Sequence, residues 1–337
     1  MRLLVLGGTR FVGRAVVSAA IKAGWEVTTF NRGQSGPPVD DTRTIHGDRT
    51  KPEELARLAD AGPWDAVIDT SGYVPRNVLM VAGTLKDCVA RYLFMSTVSV
   101  YAGWPVDALS EASTVLECAP DADRDFGEDV EDGPTKYGYQ KSGCETAVRL
   151  AFGGSDSIVL RPGVVLGPYE YVGRLPWWLR RVAAGGRVVA PGSPSRVIQP
   201  VDVRDLAAFA LSACATGGAG TFNVTAPAGR ETFGELLDAC AEVTQGQPDF
   251  VWVPDEALVE LGVRQWSEIP LWRVHEGVWS VDSSRAAAAG LGCRSLIETV
   301  RDTWYWMLES GDLEQDERAA EIGLSPSRER EILATVS

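Results

Sequence analysis

The chain of 337 residues has only two histidines, His46 and His275, and five lysines. With so few imidazoles, and those far apart, no zinc centre and no metal site is expected. The six cysteines, at 88, 118, 144, 214, 240 and 293, include no Cys-x-x-Cys pair. They read as small buried hydrophobes in a reducing, cytoplasmic setting. No apolar run reaches the roughly 20 residues of a membrane span, and the chain enters an apolar segment at Leu3, which leaves no room for a signal peptide. Basic side chains number 32 against 46 acidic ones, a net charge of −14. That balance repels phosphate backbones and opposes binding to nucleic acid or an anionic membrane surface.

What is present begins at the first residues. Leu3 to Leu6 form a short apolar run suited to a buried parallel strand. Gly7 and Gly8 follow, then a helical pattern from Phe11 to Ala23 that stops near Gly24. Strand, glycine turn and helix N-terminus together make an anion site, with backbone N–H groups and the helix dipole aimed at a pyrophosphate. Gly7 and Gly8 permit the tight turn and close approach, and Gly13 lets the helix pack on the strand. Further on, Tyr137 and Lys141 stand four apart, on one face of a helix. No other tyrosine in the chain has a lysine four residues on. A cation beside a phenol stabilises the phenolate, which makes Tyr137 a usable general acid or base.

With these two features together, the chain resembles the extended and atypical short-chain dehydrogenase/reductases, the NAD-dependent epimerase/dehydratase group. The turn Gly7-Gly-Thr-Arg10-Phe-Val-Gly13 is similar to that family's Gly-x-x-Gly-x-x-Gly, with Arg10 in place of the middle glycine. Tyr92-Leu-Phe-Met-Ser-Thr97-Val-Ser-Val-Tyr101 is similar to its Ser-Ser-x-x-Val-Tyr strand and places the catalytic hydroxyl at Thr97, with Ser96 and Ser99 as alternatives. Leu160-Arg-Pro162 resembles the segment beside the nicotinamide, and Gln199 to Ala207 the strand-to-helix return. The resemblance runs from Met1 to about Leu308.

It implies catalysis by Thr97, Tyr137 and Lys141, and cofactor contacts from Gly7, Gly8, Thr9, Arg10, Phe11, Val12, Gly13, Asp48, Thr70, Ser71, Gly72 and Pro162. Cofactor identity is argued from charge. The second strand ends in Asn31-Arg32, where an NAD-selective enzyme usually offers a carboxylate to the ribose 2′-hydroxyl. Arg10 and Arg32 suit a 2′-phosphate instead, so NADP(H) is favoured over NAD(H). Thr97 is followed by Val98-Ser99 and not by the acid–base pair of the dehydratases. The leading expectation is therefore an NADP(H)-dependent carbonyl reductase acting on a small molecule. A nucleotide-sugar epimerase and a non-enzymatic cofactor-binding sensor remain as alternatives.

Strands are expected near 2–6, 25–30, 42–46, 64–69, 91–97 and 156–161, with helices between most of them. That alternation predicts an α/β fold, a Rossmann-type doubly wound parallel sheet. Residues 1–165 would form the dinucleotide-binding core, with 196–224 returning to it by resemblance. The irregular stretches 166–195 and 225–310 would form a smaller substrate lobe, and 311–337 a C-terminal helical tail. The tryptophans concentrated in the lobe read mostly as core; Arg174, Trp177 and Trp178 are its substrate-binding candidates by family analogy. His275 reads as structural. Homodimerisation is a family expectation. From Asp107 to Asp132 there are ten carboxylates against Arg124 alone, which reads as a solvated surface excursion, with a lid over the site as the alternative.

Overall fold

Six apolar runs of the first half and one of the second line up as a single parallel sheet in the computed structural model, which describes residues 1–310 and 319–336. The strands are β1 (Arg2–Leu6), β2 (Glu26–Asn31), β3 (Arg43–His46), β4 (Ala66–Asp69), β5 (Tyr92–Met95), β6 (Ser157–Pro162) and, beyond a strand β7 (Gly186–Pro191) of the smaller lobe, β8 (Gly220–Val224). Their order is β8-β6-β5-β4-β1-β2-β3, and every pairing is parallel. The helices are α1 (Phe11–Lys22), α2 (Pro52–Asp60), α3 (Pro75–Leu85), α4 (Lys136–Phe152), α5 (Arg174–Ala183), α6 (Val203–Thr216), α7 (Phe233–Thr244), α8 (Leu296–Ser310) and α9 (Pro326–Thr335).

Side-chain alternation in β1 explains why a continuous apolar run is needed there. Leu3 and Val5 point into a layer with Val16, Val17 and Ala20 of α1 and Leu206 and Ala210 of α6. Leu4 and Leu6 point the other way, onto Leu55 of α2, Val78 and Val81 of α3 and Val148 of α4. Both faces of the sheet are covered, as a parallel sheet requires. A separate core joins α5, α7, α8 and α9 around Trp178, Phe233, Val300 and Ile332. In it β7 pairs in parallel with β9 (Pro248–Val253).

The strand order reverses between β1 and β4. The chain leaves β1 toward β2 and β3, then crosses back to β4 on the other side. A crevice therefore opens beyond the carboxyl ends of β1 and β4, the position where such sheets bind ligands. The strand expected over 91–97 ends at Met95, because the Thr97 hydroxyl accepts from Ser99 N and turns the chain into a short 3₁₀ segment, Val98–Val100. That turn brings Thr97 to the end of β5, beside the crevice.

The acidic excursion does face solvent with most of its carboxylates. Its backbone is nevertheless tied down at several points. Leu109 exchanges hydrogen bonds with Ser280 and Asp282 of the smaller lobe at 2.8 and 2.7 Å. Leu116 N donates to Val100 O, and Asp132 pairs with Arg273 and His275 at 3.6 and 3.3 Å. The segment is thus a strap between the sheet and the lobe.

Candidate active site

The crevice is walled by the residues that make the turn. Gly7 and Gly8 adopt φ of +107° and +98°, a region that side chains disfavour. A Cβ on Gly7 would lie 2.7 Å from Thr70 Oγ1, and one on Gly13 would lie 2.7 Å from Gly8 N. Thr70 locks this corner by donating through N and Oγ1 to Leu6 O, at 3.1 and 3.0 Å. Asn31 ties β2 to the same turn, its Nδ2 donating to Gly7 O at 3.4 Å while its Oδ1 accepts from Gly33 N. Thr9 sits half-exposed in the turn, and Val12 packs on the α1 side of the sheet. Pro162 ends β6, buried.

Arg10 reaches away from the turn. Its Nε donates to Ser35 O at 3.3 Å, in the loop that follows Arg32, and its guanidinium lies 5.5 Å over the Tyr171 ring. Phe11 meets the same ring edge-on, with centroids 6.4 Å apart. Asp48 accepts from Thr50 N and Thr50 Oγ1 at 2.9 and 2.8 Å. Those bonds hold its carboxyl below the usual range, and the nearby charge of Arg32 works in the same direction. Arg10 thus reaches the loop that follows Arg32, and Arg32 lies within electrostatic reach of Asp48.

At the near end, α4 begins where Thr135 caps it, accepting from Gly138 N at 3.1 Å. This leaves Tyr137 in the first turn and nearly half-exposed, its ring 6.4 Å from that of Tyr73. One turn later Lys141 is buried, and its Nζ donates to Gly72 O and Met95 O at 2.9 and 2.5 Å. The ammonium also lies 4.3 Å over the Phe94 ring and 5.2 Å over Tyr73. Burial pushes its pKa down to about 8, against neighbouring anions such as Asp69 that raise it. Gly138 is held tightly too: a Cβ there would overlap Ser99 O. Helix α4 is thereby pressed against the Thr97–Ser99 turn.

Of the three candidate hydroxyls, Ser96 is engaged in the core. It is buried and donates to Glu145 Oε1 at 2.5 Å. Thr97 Oγ1 lies 3.3 Å from Ser99 Oγ, so these two form a pair beside Tyr137's helix. Sequence reasoning missed the groups beneath them. Glu145 accepts from Arg161 Nε and Nη2 at 2.8 and 2.6 Å and from Arg149 at 3.1 Å. Arg49 makes a two-armed pair with Asp69. A glutamate four residues after Lys141 is a signal of a sort, but nothing in the sequence names its partner.

The substrate candidates fare differently. Trp178 is fully buried with its Nε1 donating to Pro270 O at 2.9 Å, so its assignment as a substrate contact is corrected: it is core. Trp177 packs edge-on against Trp178 and lies under Gly323, where an added Cβ would overlap its indole. Arg174 is held by Glu170 at 2.8 Å, with its guanidinium 6.0 Å over Trp266. The sequence reading overlooked Arg273, whose guanidinium stands between Trp104 and Trp266 at 4.9 and 5.5 Å. A cavity of about 610 Å³ opens elsewhere, between the strap and the Ser142–Thr146–Arg149 face of α4. Helical spacing turns that face away from Tyr137 and Lys141.

Among the described residues no cluster of His, Cys, Asp and Glu is arranged to hold a metal, and no helix is long and apolar enough to cross a membrane. Residues 3–225 match the model of the NAD dependent epimerase/dehydratase family. Chloroplast stem-loop binding protein of 41 kDa b from Arabidopsis thaliana is 26% identical over 257 residues, covering 72% of this chain and 62% of its own length. The 2′-dehydrokanamycin reductase of Streptomyces kanamyceticus is 31% identical over 197 residues, covering 56% of this chain and 51% of that enzyme. This chain therefore spans less than two thirds of either relative. Among solved structures, UDP-glucose 4-epimerase of Thermotoga maritima with UDP-glucose has the same fold, with a TM-score of 0.67 and 19% identity over 92% of this chain and 99% of that one.

Proposed function

We propose that this chain, which belongs to the NAD dependent epimerase/dehydratase family and is an NAD(P)-dependent enzyme, reduces the carbonyl of a small molecule with a preference for NADP(H). The observation that carries the cofactor preference is Arg10 extended to the Ser35 loop, at the end of the crevice where Arg32 follows the neutral Asn31. Two guanidiniums there match a 2′-phosphate and leave a bare ribose hydroxyl without its carboxylate. The glycine turn, with its positive φ angles, and the corner closed by Thr70 fit a pyrophosphate at the N-terminus of α1.

The bound nicotinamide would supply the hydride. Tyr137 donates its phenolic proton to the carbonyl oxygen as the carbon is reduced, which yields the alcohol and a tyrosinate. Thr97 donates a hydrogen bond to the same oxygen and stabilises its developing charge. Lys141, fixed by the carbonyls of Gly72 and Met95, keeps a positive charge beneath the tyrosinate and favours its formation. Position 98 is a buried valine and 99 a serine, so the acid–base pair of a dehydratase has no counterpart here. The relative named as a reductase agrees with this reading. Nucleotide-sugar epimerisation is the second reading, favoured by the epimerase with the same fold. The stem-loop binding of the plant relative is opposed by the net charge of −14.

The test is calorimetric titration with NADPH and NADH. NADPH is expected to bind at least about tenfold more tightly, since each charge-assisted bond contributes roughly 1.5–3 kcal/mol. Arg10→Ala and Arg32→Ala should each remove much of that difference and leave NADH binding unaltered. Equal affinities, or a preference for NADH, would remove the NADP(H) assignment.

A further inference from the structure

Beneath the floor of the crevice lies an ion pair that the mechanism above does not use. Arg49 directly follows Asp48, in the turn between β3 and α2. Its side chain reaches the end of the central strand β4, where Nη1 and Nη2 donate to Asp69 Oδ1 and Oδ2 at 3.0 and 2.7 Å. Nη1 also donates to Ser71 Oγ at 3.0 Å. Asp69 is fully buried, and it accepts further from Tyr92 Oη at 2.8 Å and Ser71 N at 3.0 Å. A Cβ on Gly72 would lie 3.0 Å from Asp69 Oδ2 and closer still to Phe94 and Val78, so this backbone is seated on the carboxylate. Gly72 O then receives Lys141 Nζ at 2.9 Å.

A buried ion pair gains little over an apolar pair of the same volume. What the two-armed fork does supply is direction, because its planar geometry fixes the orientation of the groups it joins. Asp48 has anchors of its own, in Thr50 and in the bond from Asp48 N to Glu54 Oε2 at 2.5 Å. The adenine end of the crevice is thus held without Arg49. The Ser71–Gly72 loop is seated on the Arg49–Asp69 pair, and through Gly72 O the pair sets one of the two carbonyls that hold the Lys141 ammonium, Met95 O being the other.

We propose that Arg49 is a positioning residue: through Asp69 it orients the Ser71–Gly72 loop and Lys141 for the nicotinamide half of the cofactor, while leaving the adenine half untouched. This rests on the reading of the crevice as a nicotinamide dinucleotide site. Removing one arm of the fork in Arg49→Lys keeps the charge and loses the direction.

The experiment compares two probes by calorimetry, NADPH and 2′,5′-ADP, the second being only the adenine half; NADH and ADP serve in the same way if the protein prefers them. In Arg49→Lys, NADPH should weaken about tenfold, the worth of one charge-assisted hydrogen bond, and 2′,5′-ADP should not weaken. Tyr92→Phe, which deletes one bond to Asp69 and leaves both charges, should show the same selective loss at a smaller size. If Arg49→Lys does not fold, Tyr92→Phe alone decides. Equal weakening of both probes, or no change in either, would reduce the pair to a structural one and overturn the proposal. A parental protein that gains nothing from the nicotinamide half, or binds neither probe, would instead defeat the reading of the crevice itself.

Discussion

Tyr137→Phe is expected to lower kcat by about 10²–10⁴-fold, the usual worth of a positioned general acid, with NADPH affinity unchanged. The phenol sits in the exposed first turn of α4, whose start is secured by the Thr135 cap and not by the tyrosine. The start of α4 should therefore stay capped in the variant. Steady-state turnover combined with calorimetric cofactor binding checks this, and turnover retained in the variant would take the proton from another group. Lys141 gives the parental enzyme a matching pH signature. Its pKa is pushed down to about 8 by burial, so kcat/KM should fall as pH rises through about 8 and the Lys141 cation is lost. Stability should move the other way. The unfolded lysine titrates near 10.5, so between about 8 and 10.5 the unfolded chain binds more protons than the fold, and unfolding becomes harder as pH rises.

Glu145→Ala is expected to destabilise the protein by about 3–5 kcal/mol, because it strands the buried Arg161 guanidinium without its carboxylate. Glu145 and Arg161 are both almost wholly inaccessible, and Ser96 Oγ donates a hydrogen bond to the same carboxylate. Burial by itself would raise the Glu145 pKa, but the hydrogen bonds and charge of Arg161 outweigh it and hold the group below 4.5. The stabilisation is present above that unfolded value and is lost as pH falls through the lowered one. Urea denaturation at neutral pH checks the size of the effect. The double variant Glu145→Ala/Arg161→Leu should recover part of the loss, since it removes the stranded charge as well. Because Ser96 directly precedes Thr97, the single variant should also cost activity in whatever fraction remains folded.

The parts of this molecule that the sequence made legible are those written in local chemistry. The run Leu3–Leu6, the glycines at 7, 8 and 13 and the alternation of strand and helix follow from period, turn residues and caps, and the parallel sheet appeared where they put it. Tyr137 and Lys141 were legible for the same reason, since helical spacing alone sets them on one face. Contacts between distant segments were not legible. Arg49 finds Asp69 across 20 residues, and Arg273, a near neighbour of Trp266 in sequence, meets Trp104 from far along the chain. The sequence does not separate Trp178 from a substrate contact, because both adjacent tryptophans join one core, Trp178 wholly and Trp177 in part, and only packing shows it. The acidic segment reads as a solvated surface excursion because its charges dominate its composition, and its carboxylates do mostly face solvent, but its ties are not legible there. Its ties run instead through backbone groups at Leu109 and Leu116, which composition does not display.

The measurement that bears most directly on the account is the loss of NADPH absorbance when the purified protein is mixed with a panel of simple ketones, set beside conversion of UDP-glucose with no added cofactor. The account predicts ketone-dependent oxidation of NADPH, one cofactor per alcohol formed, and no change in the sugar nucleotide. Conversion of the sugar by protein that carries its own unexchanged cofactor, with the ketones left unreduced, would contradict it and make the chain an epimerase.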